Sequence, residues 1–199
     1  MTVTFLLVRH AAHDDVGRYL AGRRPGVRLG VEGRAQAARL GARMRRERFG
    51  RILASPRERT QETARAVAEA AGIDTVETAA ALDEIDFGRW SGHDFETLDE
   101  DPDWRRWNED RGHAATPAGE TMEHVRFRIV SVMERLQAEG AAGAVVLVSH
   151  ADVIKAAVCD VLGLPLDRID RFDIAPASIT TVVAGAWGAK LIGLNEVVA

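Results

Sequence analysis

The sequence predicts an α/β fold built on a parallel sheet, and three observations carry that prediction. Thr4-Phe5-Leu6-Leu7-Val8 runs into Arg9-His10, and Ala144-Val145-Val146-Leu147-Val148 runs into Ser149-His150. Both runs are apolar without alternation, the pattern of strands buried on both faces. Stretches with helical spacing of apolar residues separate and follow them. Ligands in open α/β sheets bind beyond the carboxyl ends of the strands, so the two histidines are expected at one sheet edge.

The bulk properties narrow the class. A chain of 199 residues suits one domain spanning 1–199, with a sizeable core. A hydrophobic fraction of 46% points to a soluble globular protein. The net charge of −4 argues against general nucleic-acid binding. Cys159 is the single cysteine, so neither an intramolecular disulfide nor a multi-cysteine metal site is expected. No apolar run reaches membrane-spanning length, so no membrane partner is expected. The N-terminus enters a strand without a signal-peptide pattern, which makes the cytoplasm the expected location.

The elements follow in order. A polar, glycine-rich loop runs from His10 to about Gly30. The spacing predicts a helix over about 32–48, with Ala37, Leu40 and Met44 inside and Arg39, Arg43 and Arg46 in solvent. In an acidic protein those arginines read as a wet helix face rather than a nucleic-acid surface. Residues 51–54 read as a short strand. Ser55-Pro56-Arg57-Glu58 then combines an N-cap serine, a first-turn proline and a capping-box glutamate. Ala64, Val67, Ala68 and Ala71 form the core face of that helix, and Gly72 ends it. The stretch 87–119 has no long period and carries Trp90, Trp104 and Trp107; it reads as a lid-like insertion over the sheet edge. The competing reading is a solvated connection with anchoring aromatics. A helix over about 120–139 follows, marked by Val125, Ile129, Val132, Met133 and Leu136. Val153, Ile154, Ala157, Val158 and Val161 mark another, which stops at Gly163 with Pro165 beyond. Residues 179–184 and 190–194 read as closing strands.

Arg9, His10, Arg59 and His150 fall at strand ends and a helix start, where they would form a cationic pocket. Guanidinium forks match phosphate oxygens, and helix N-termini add N–H donors. Such a pocket suits phosphoryl transfer, in which charge stabilisation is most of the catalytic task. A histidine nucleophile must be neutral, and neighbouring positive charge favours that form. The leaving oxygen needs an acid. Leu82-Asp83-Glu84-Ile85-Asp86-Phe87-Gly88 offers Glu84 and Asp86. A metal-dependent hydrolase using His10, His13 and Asp14 is the reading from another class, but no further ligand cluster accompanies them.

Arg9-His10-Ala11, Ser55-Pro56-Arg57-Glu58-Arg59-Thr60-Gln61-Glu62-Thr63-Ala64, the 82–88 segment and Ser149-His150-Ala151 match, in order, the motifs of one family. The chain resembles the histidine phosphatase superfamily, the phosphoglycerate mutase-like enzymes, over nearly its whole length. Leu20-Ala21-Gly22-Arg23-Arg24-Pro25-Gly26-Val27 and Gly33-Arg34-Ala35-Gln36-Ala37 resemble a bacterial phosphatase-like branch. The resemblance implies a three-layer α/β/α sandwich around a mostly parallel sheet. It implies that His10 accepts the phosphoryl group and that Arg9, Arg59 and His150 hold it, with Ala151 also in the binding site. It selects Glu84 over Asp86 as proton donor, and it implies no metal and no organic cofactor. Arg23 lies in a loop that borders the substrate in relatives, where it would grip a second anionic group or remain a surface arginine. Ala11 replaces a signature glycine, Ala12-His13 replaces the usual Glu-Thr, and Val16 replaces a frequent asparagine. These departures bear on phosphate binding; His13 is either a compensating donor or a solvated loop residue.

The expected function is a metal-independent phosphomonoesterase that forms a phosphohistidine on a small phosphorylated metabolite. A phosphoglycerate mutase-type transferase uses the same pocket, but such chains are usually longer. A phosphate-binding regulatory domain without catalysis would not need both histidines and Glu84. A homodimer is left open.

Overall fold

The computed structural model describes residues 2–140 and 143–198. Six strands make one sheet in the order β3-β2-β4-β1-β5-β6. They are β1 (Val3–Arg9), β2 (Phe49–Ala54), β3 (Glu77–Thr78), β4 (Ala144–Ser149), β5 (Ile179–Gly185) and β6 (Gly188–Glu196). The first four run parallel, β5 lies antiparallel to β1, and β6 lies antiparallel to β5.

The absence of alternation in β1 and β4 has a direct cause. Leu6, Val8, Val146 and Val148 pack under α1 (Val31–Met44) and α2 (Glu58–Ala71), meeting Ala37, Leu40, Ala64 and Val67. Phe5, Leu7, Val145 and Leu147 point the other way, toward α5 (Met122–Ala138) and α6 (Ala151–Leu162). Both faces of each strand are therefore covered, and three layers result. Helix α1 ends at Met44 rather than near 48, because Phe49 already pairs with Ala144 in the sheet. Arg39 and Arg43 on its wet face pair with Glu32 and with Glu47 and Glu196.

The expected capping box at Ser55 is not formed. Helix α2 starts at Glu58 with Arg57 at its N-cap, and no side chain caps it. Glu58 instead accepts from the Gly26 N–H at 2.8 Å, and Ser55 is recruited by the site described below. Thr121 and His124 form a capping box at α5.

Two short helices, α3 (Phe95–Glu100) and α4 (Pro102–Glu109), occupy the 87–119 stretch. Trp90, Trp104 and Trp107 are buried there, with Trp90 and Trp104 edge to face at 5.3 Å between ring centroids. The three are continuous with the core under α5 and α6. A β-bridge between Tyr19 and Asp94 and a bond from Gly92 N–H to the Leu20 carbonyl join this stretch to the loop after His10. No helix among the described residues is long and apolar enough to cross a membrane.

Candidate active site

Three adjacent parallel strands, β2, β4 and β1, end side by side and deliver Ser55, His150 and His10 at the same sheet edge. The register pairs Arg9 with Ser149 and Ala54 with Val148, and the backbone N–H groups of His10 and Ser55 extend the ladder to the carbonyls of Ser149 and Val148. The rings of His10 and His150 lie 5.2 Å apart between centroids. The loop after His10 is held by helix α1. Its Gln36 accepts from Ala12 N–H at 3.0 Å, and a β-carbon at Gly33 would lie 1.7 Å from the Ala12 carbonyl oxygen. Only glycine permits that approach.

His10 is 4% exposed, and its Nδ1 lies 2.9 Å from the Ala11 carbonyl oxygen. A carbonyl only accepts, so the network assigns the proton to Nδ1 and leaves the lone pair on Nε2. Arg59 Nε donates to that Nε2 at 3.2 Å. Burial, then Arg59 and Arg9, hold the His10 pKa well below its ordinary value, so the ring is neutral near pH 7.

Arg59 is 1% exposed and central. Its Nη2 donates to the Gly22 carbonyl at 2.8 Å and to His150 Nδ1 at 3.1 Å. Because arginine only donates, His150 accepts at Nδ1 and carries its proton on Nε2, which meets Ser55 Oγ at 2.8 Å; Ser55 Oγ in turn reaches Asp83 Oδ1 at 3.3 Å. His150, at the N-cap of α6, is also held well below its ordinary pKa by burial and by Arg59. Ala151 opens that helix. Arg9 anchors one Nη on the Ile174 carbonyl. Arg9 Nε and Arg59 Nη1 are buried without a protein partner among the described residues. Buried guanidinium donors without acceptors are costly, and their presence beside His10 marks a place for an anion.

Glu84 lies beside both His150 and Arg59. Its Oε2 is 3.5 Å from His150 Nδ1 and 4.0 Å from Arg59 Nη2, and its Oε1 accepts from Ile85 N–H at 3.0 Å. Burial pushes its pKa up to about 7; the charge of Asp152 adds to this and Arg59 opposes it. Asp86, the rival carboxylate, instead caps Gly88 N–H at 3.1 Å and pairs with Arg23.

Arg23, expected toward the far end of a substrate, has its guanidinium engaged within the protein. Nε donates to the Glu84 carbonyl at 2.7 Å, Nη1 meets Asp86 at 3.4 Å, and Nη2 pairs with Glu120 at 2.9 Å. Glu120 also pairs with Arg128 at 3.0 Å, and Arg57 pairs with Asp83 at 3.0 Å. These contacts brace the backbone that carries Glu84. Sequence reasoning missed Asp83, Arg57, Glu120 and Arg128, and it took Ser55 for a cap. Thr63, within the Ser55–Ala64 motif, holds the loop after His10: its Oγ1 accepts from Ala11 N–H at 3.0 Å. Among the described residues, the one group of three metal-ligating side chains with donor atoms within 4.8 Å is Asp110, His113 and Asp167, so His10, His13 and Asp14 do not converge as a metal site.

Comparisons with known proteins show the family and the fold. Residues 5–197 match the histidine phosphatase superfamily (branch 1). The chain is 33% identical over 184 residues to phosphoserine phosphatase 1 of Hydrogenobacter thermophilus, covering 90% of this chain and 86% of that one. It is 29% identical over 177 residues to a probable phosphoglycerate mutase of an Enterobacter species, covering 83% and 80%. The solved structure of a mycobacterial glucosyl-3-phosphoglycerate phosphatase superposes with a TM-score of 0.87 at 24% identity, covering 98% of this chain and 100% of that one, a likeness of fold. The match across nearly the whole length, together with a phosphatase relative at 33% identity, shows that the chain belongs to the histidine phosphatase superfamily, branch 1, and is an enzyme of the phosphoric monoester hydrolase kind.

Proposed function

We propose that this enzyme hydrolyses a small phosphorylated metabolite through a phosphohistidine at His10, without a metal ion. The observation that carries the reading is the neutral His10, whose Nε2 lone pair faces Arg59 beside unpartnered donors of Arg9 and Arg59. A phosphoryl group entering there takes over the Arg59 contact and exposes Nε2 for in-line attack. The Nε2–P bond forms as the P–O bond to the alcohol breaks, and protonated Glu84 gives its proton to the leaving oxygen. Water then attacks phosphorus, the P–Nε2 bond breaks, and Glu84 takes a proton from that water. The net change is ester plus water to alcohol plus phosphate.

Arg9 and Arg59 hold the equatorial oxygens. A dianion beside His150 favours protonation of that ring. Its Nδ1–H then donates to the phosphoryl group while Nε2–H stays on Ser55. Ala151 N–H, at the start of α6, adds a donor. The 87–119 stretch acts as a lid over this edge within a single domain. Rapid-quench labelling tests the reading. Wild type acquires acid-labile phosphate from a labelled monoester, and His10→Ala acquires none, with turnover reduced on the order of 10⁴-fold or more. Label that persists in a folded His10→Ala protein would exclude His10 as the acceptor.

A further inference from the structure

A third imidazole stands at the site, and the mechanism above does not use it. His13 is 8% exposed, so it is not a solvated loop residue. Its ring stacks on His10, with centroids 5.9 Å apart and planes 29° from parallel. Its Nδ1 is buried and has no protein partner among the described residues. The backbone around it is fixed by a turn in which Val16 N–H bonds to the His13 carbonyl at 3.2 Å. The ring is therefore held in place, while a polar atom in it is left unsatisfied. An orphaned buried nitrogen is costly, and such cost persists where a ligand offsets it.

The surroundings define the ligand. Burial, then the charge of Arg59, with Arg9 adding to it, lower the His13 pKa to about 4, against the opposing charges of Asp15 and Asp14. The ring is thus neutral near pH 7 and carries one N–H and one lone pair. Arg59 Nη1 and Arg9 Nε are orphaned in the same region, and both can only donate. A group that satisfies all three residues must accept several hydrogen bonds, as a phosphoryl group does with its clustered oxygens.

We infer that His13 is a phosphoryl-binding residue that donates an imidazole N–H to the bound phosphate, alongside the two arginines. This rests on the phosphatase reading and deepens it. It also gives a physical meaning to the local sequence. The Val16 side chain, 36% exposed, offers no donor from the same loop, and the imidazole three residues earlier supplies one.

Calorimetric binding of inorganic phosphate, with steady-state kinetics on one monoester, tests the inference. His13→Phe keeps the ring's shape and removes the donor, and it should weaken phosphate binding and raise KM about tenfold or more. His13→Asn places a carboxamide N–H near the position of Nδ1, and His13→Gln places one near Nε2; one of the two should recover most of the loss and so identify the donating nitrogen. Melting temperatures close to wild type in all three show that the fold is intact. Phosphate binding by His13→Phe equal to wild type would overturn the inference and leave the phosphohistidine reading untouched. Equal weakening in Phe, Asn and Gln variants would overturn it too, because only packing would then be at stake. A wild-type enzyme that forms phosphohistidine yet binds no phosphate would also count against it, whereas one that forms no phosphohistidine defeats the broader reading first.

Discussion

The two halves of the pocket are built by different means. The half that holds His10, His150 and Arg59 is set by the sheet: His10 and His150 follow two neighbouring parallel strands, and Arg59 comes from the first turn of α2. The half that carries Glu84 rests on irregular backbone between a 3₁₀ turn ending at Leu82 and another starting at Gly88. Arg23, Arg57, Arg128, Asp83 and Glu120 hold that backbone through ion pairs and hydrogen bonds. Strand ladders fix a position to a fraction of an ångström by repetition, whereas a charge network fixes it by mutual satisfaction of a few groups. The first half is therefore rigid and buried, and the second can be tuned by charge.

That contrast can be broken from either side. Arg59→Ala removes a guanidinium that touches His10, His150 and the Gly22 carbonyl, so kcat/KM should fall by about 10²–10³, or about 2.7–4 kcal/mol. In the proposed mechanism Arg59 meets the phosphoryl oxygens and not the leaving group, so the loss should be nearly the same for good and poor leaving groups. An unchanged kcat/KM would show that the guanidinium does not act on the reacting group.

Glu84→Gln should give the opposite selectivity. Alkyl phosphates, which need a proton on departure, should slow far more than p-nitrophenyl phosphate. In wild type, with the Glu84 pKa near 7, kcat/KM for alkyl esters should fall as pH rises beyond that value. The same substitution should stabilise the fold. A carboxyl raised from 4.5 to about 7 favours the native state fully below pH 4.5, and that contribution is lost as pH rises through 7. Gln is neutral throughout, so the variant should gain at most about 3 kcal/mol over wild type at pH 8 and nothing at pH 4. Denaturant titrations at the two pH values check this; equal differences at both would mean that Glu84 ionises freely in the native protein.

The smallest effect should come from Arg111. It pairs with Asp152 at 3.1 Å and lies over the Trp107 ring at 5.0 Å. Asp152 is the largest charge contribution to the raised Glu84 pKa. Arg111→Ala leaves Asp152 less neutralised, so Glu84 should hold its proton to higher pH and the alkaline limb should move up by a few tenths of a unit. A limb that stays in place would show that the insertion has no electrostatic reach into the pocket.

The same contrast decides what could be read from the sequence. The β1 and β4 runs were legible because strands buried on both faces leave unbroken apolar segments, and Gly72 and Gly163 end their helices with φ of 68° and 64°. Strand β3 has two residues and leaves no period. Helices α3 and α4 are short and organised around tryptophans, so no repeat marks them. Ser55 was misread because its local pattern fits a cap, while its partners lie 95 residues away at His150 and 28 away at Asp83. Glu120 read as a helix start, yet it bridges Arg23 and Arg128. The site residues that stayed hidden depend on long-range charge pairing and hydrogen bonding, which have no sequence period.

The burial of Trp90, Trp104 and Trp107 has an optical consequence. The chain has four tryptophans, and the fourth, Trp187, is 60% exposed in the β5–β6 turn, while the other three are at most 6% exposed. Buried indoles emit at shorter wavelength than one largely in water, so Trp187 supplies the red edge of the emission. The blue component of intrinsic fluorescence is thus a label, already in place, for the stretch beside the pocket. Trp187→Phe would remove the red background and leave a protein whose emission reports on that stretch alone as ligand binds.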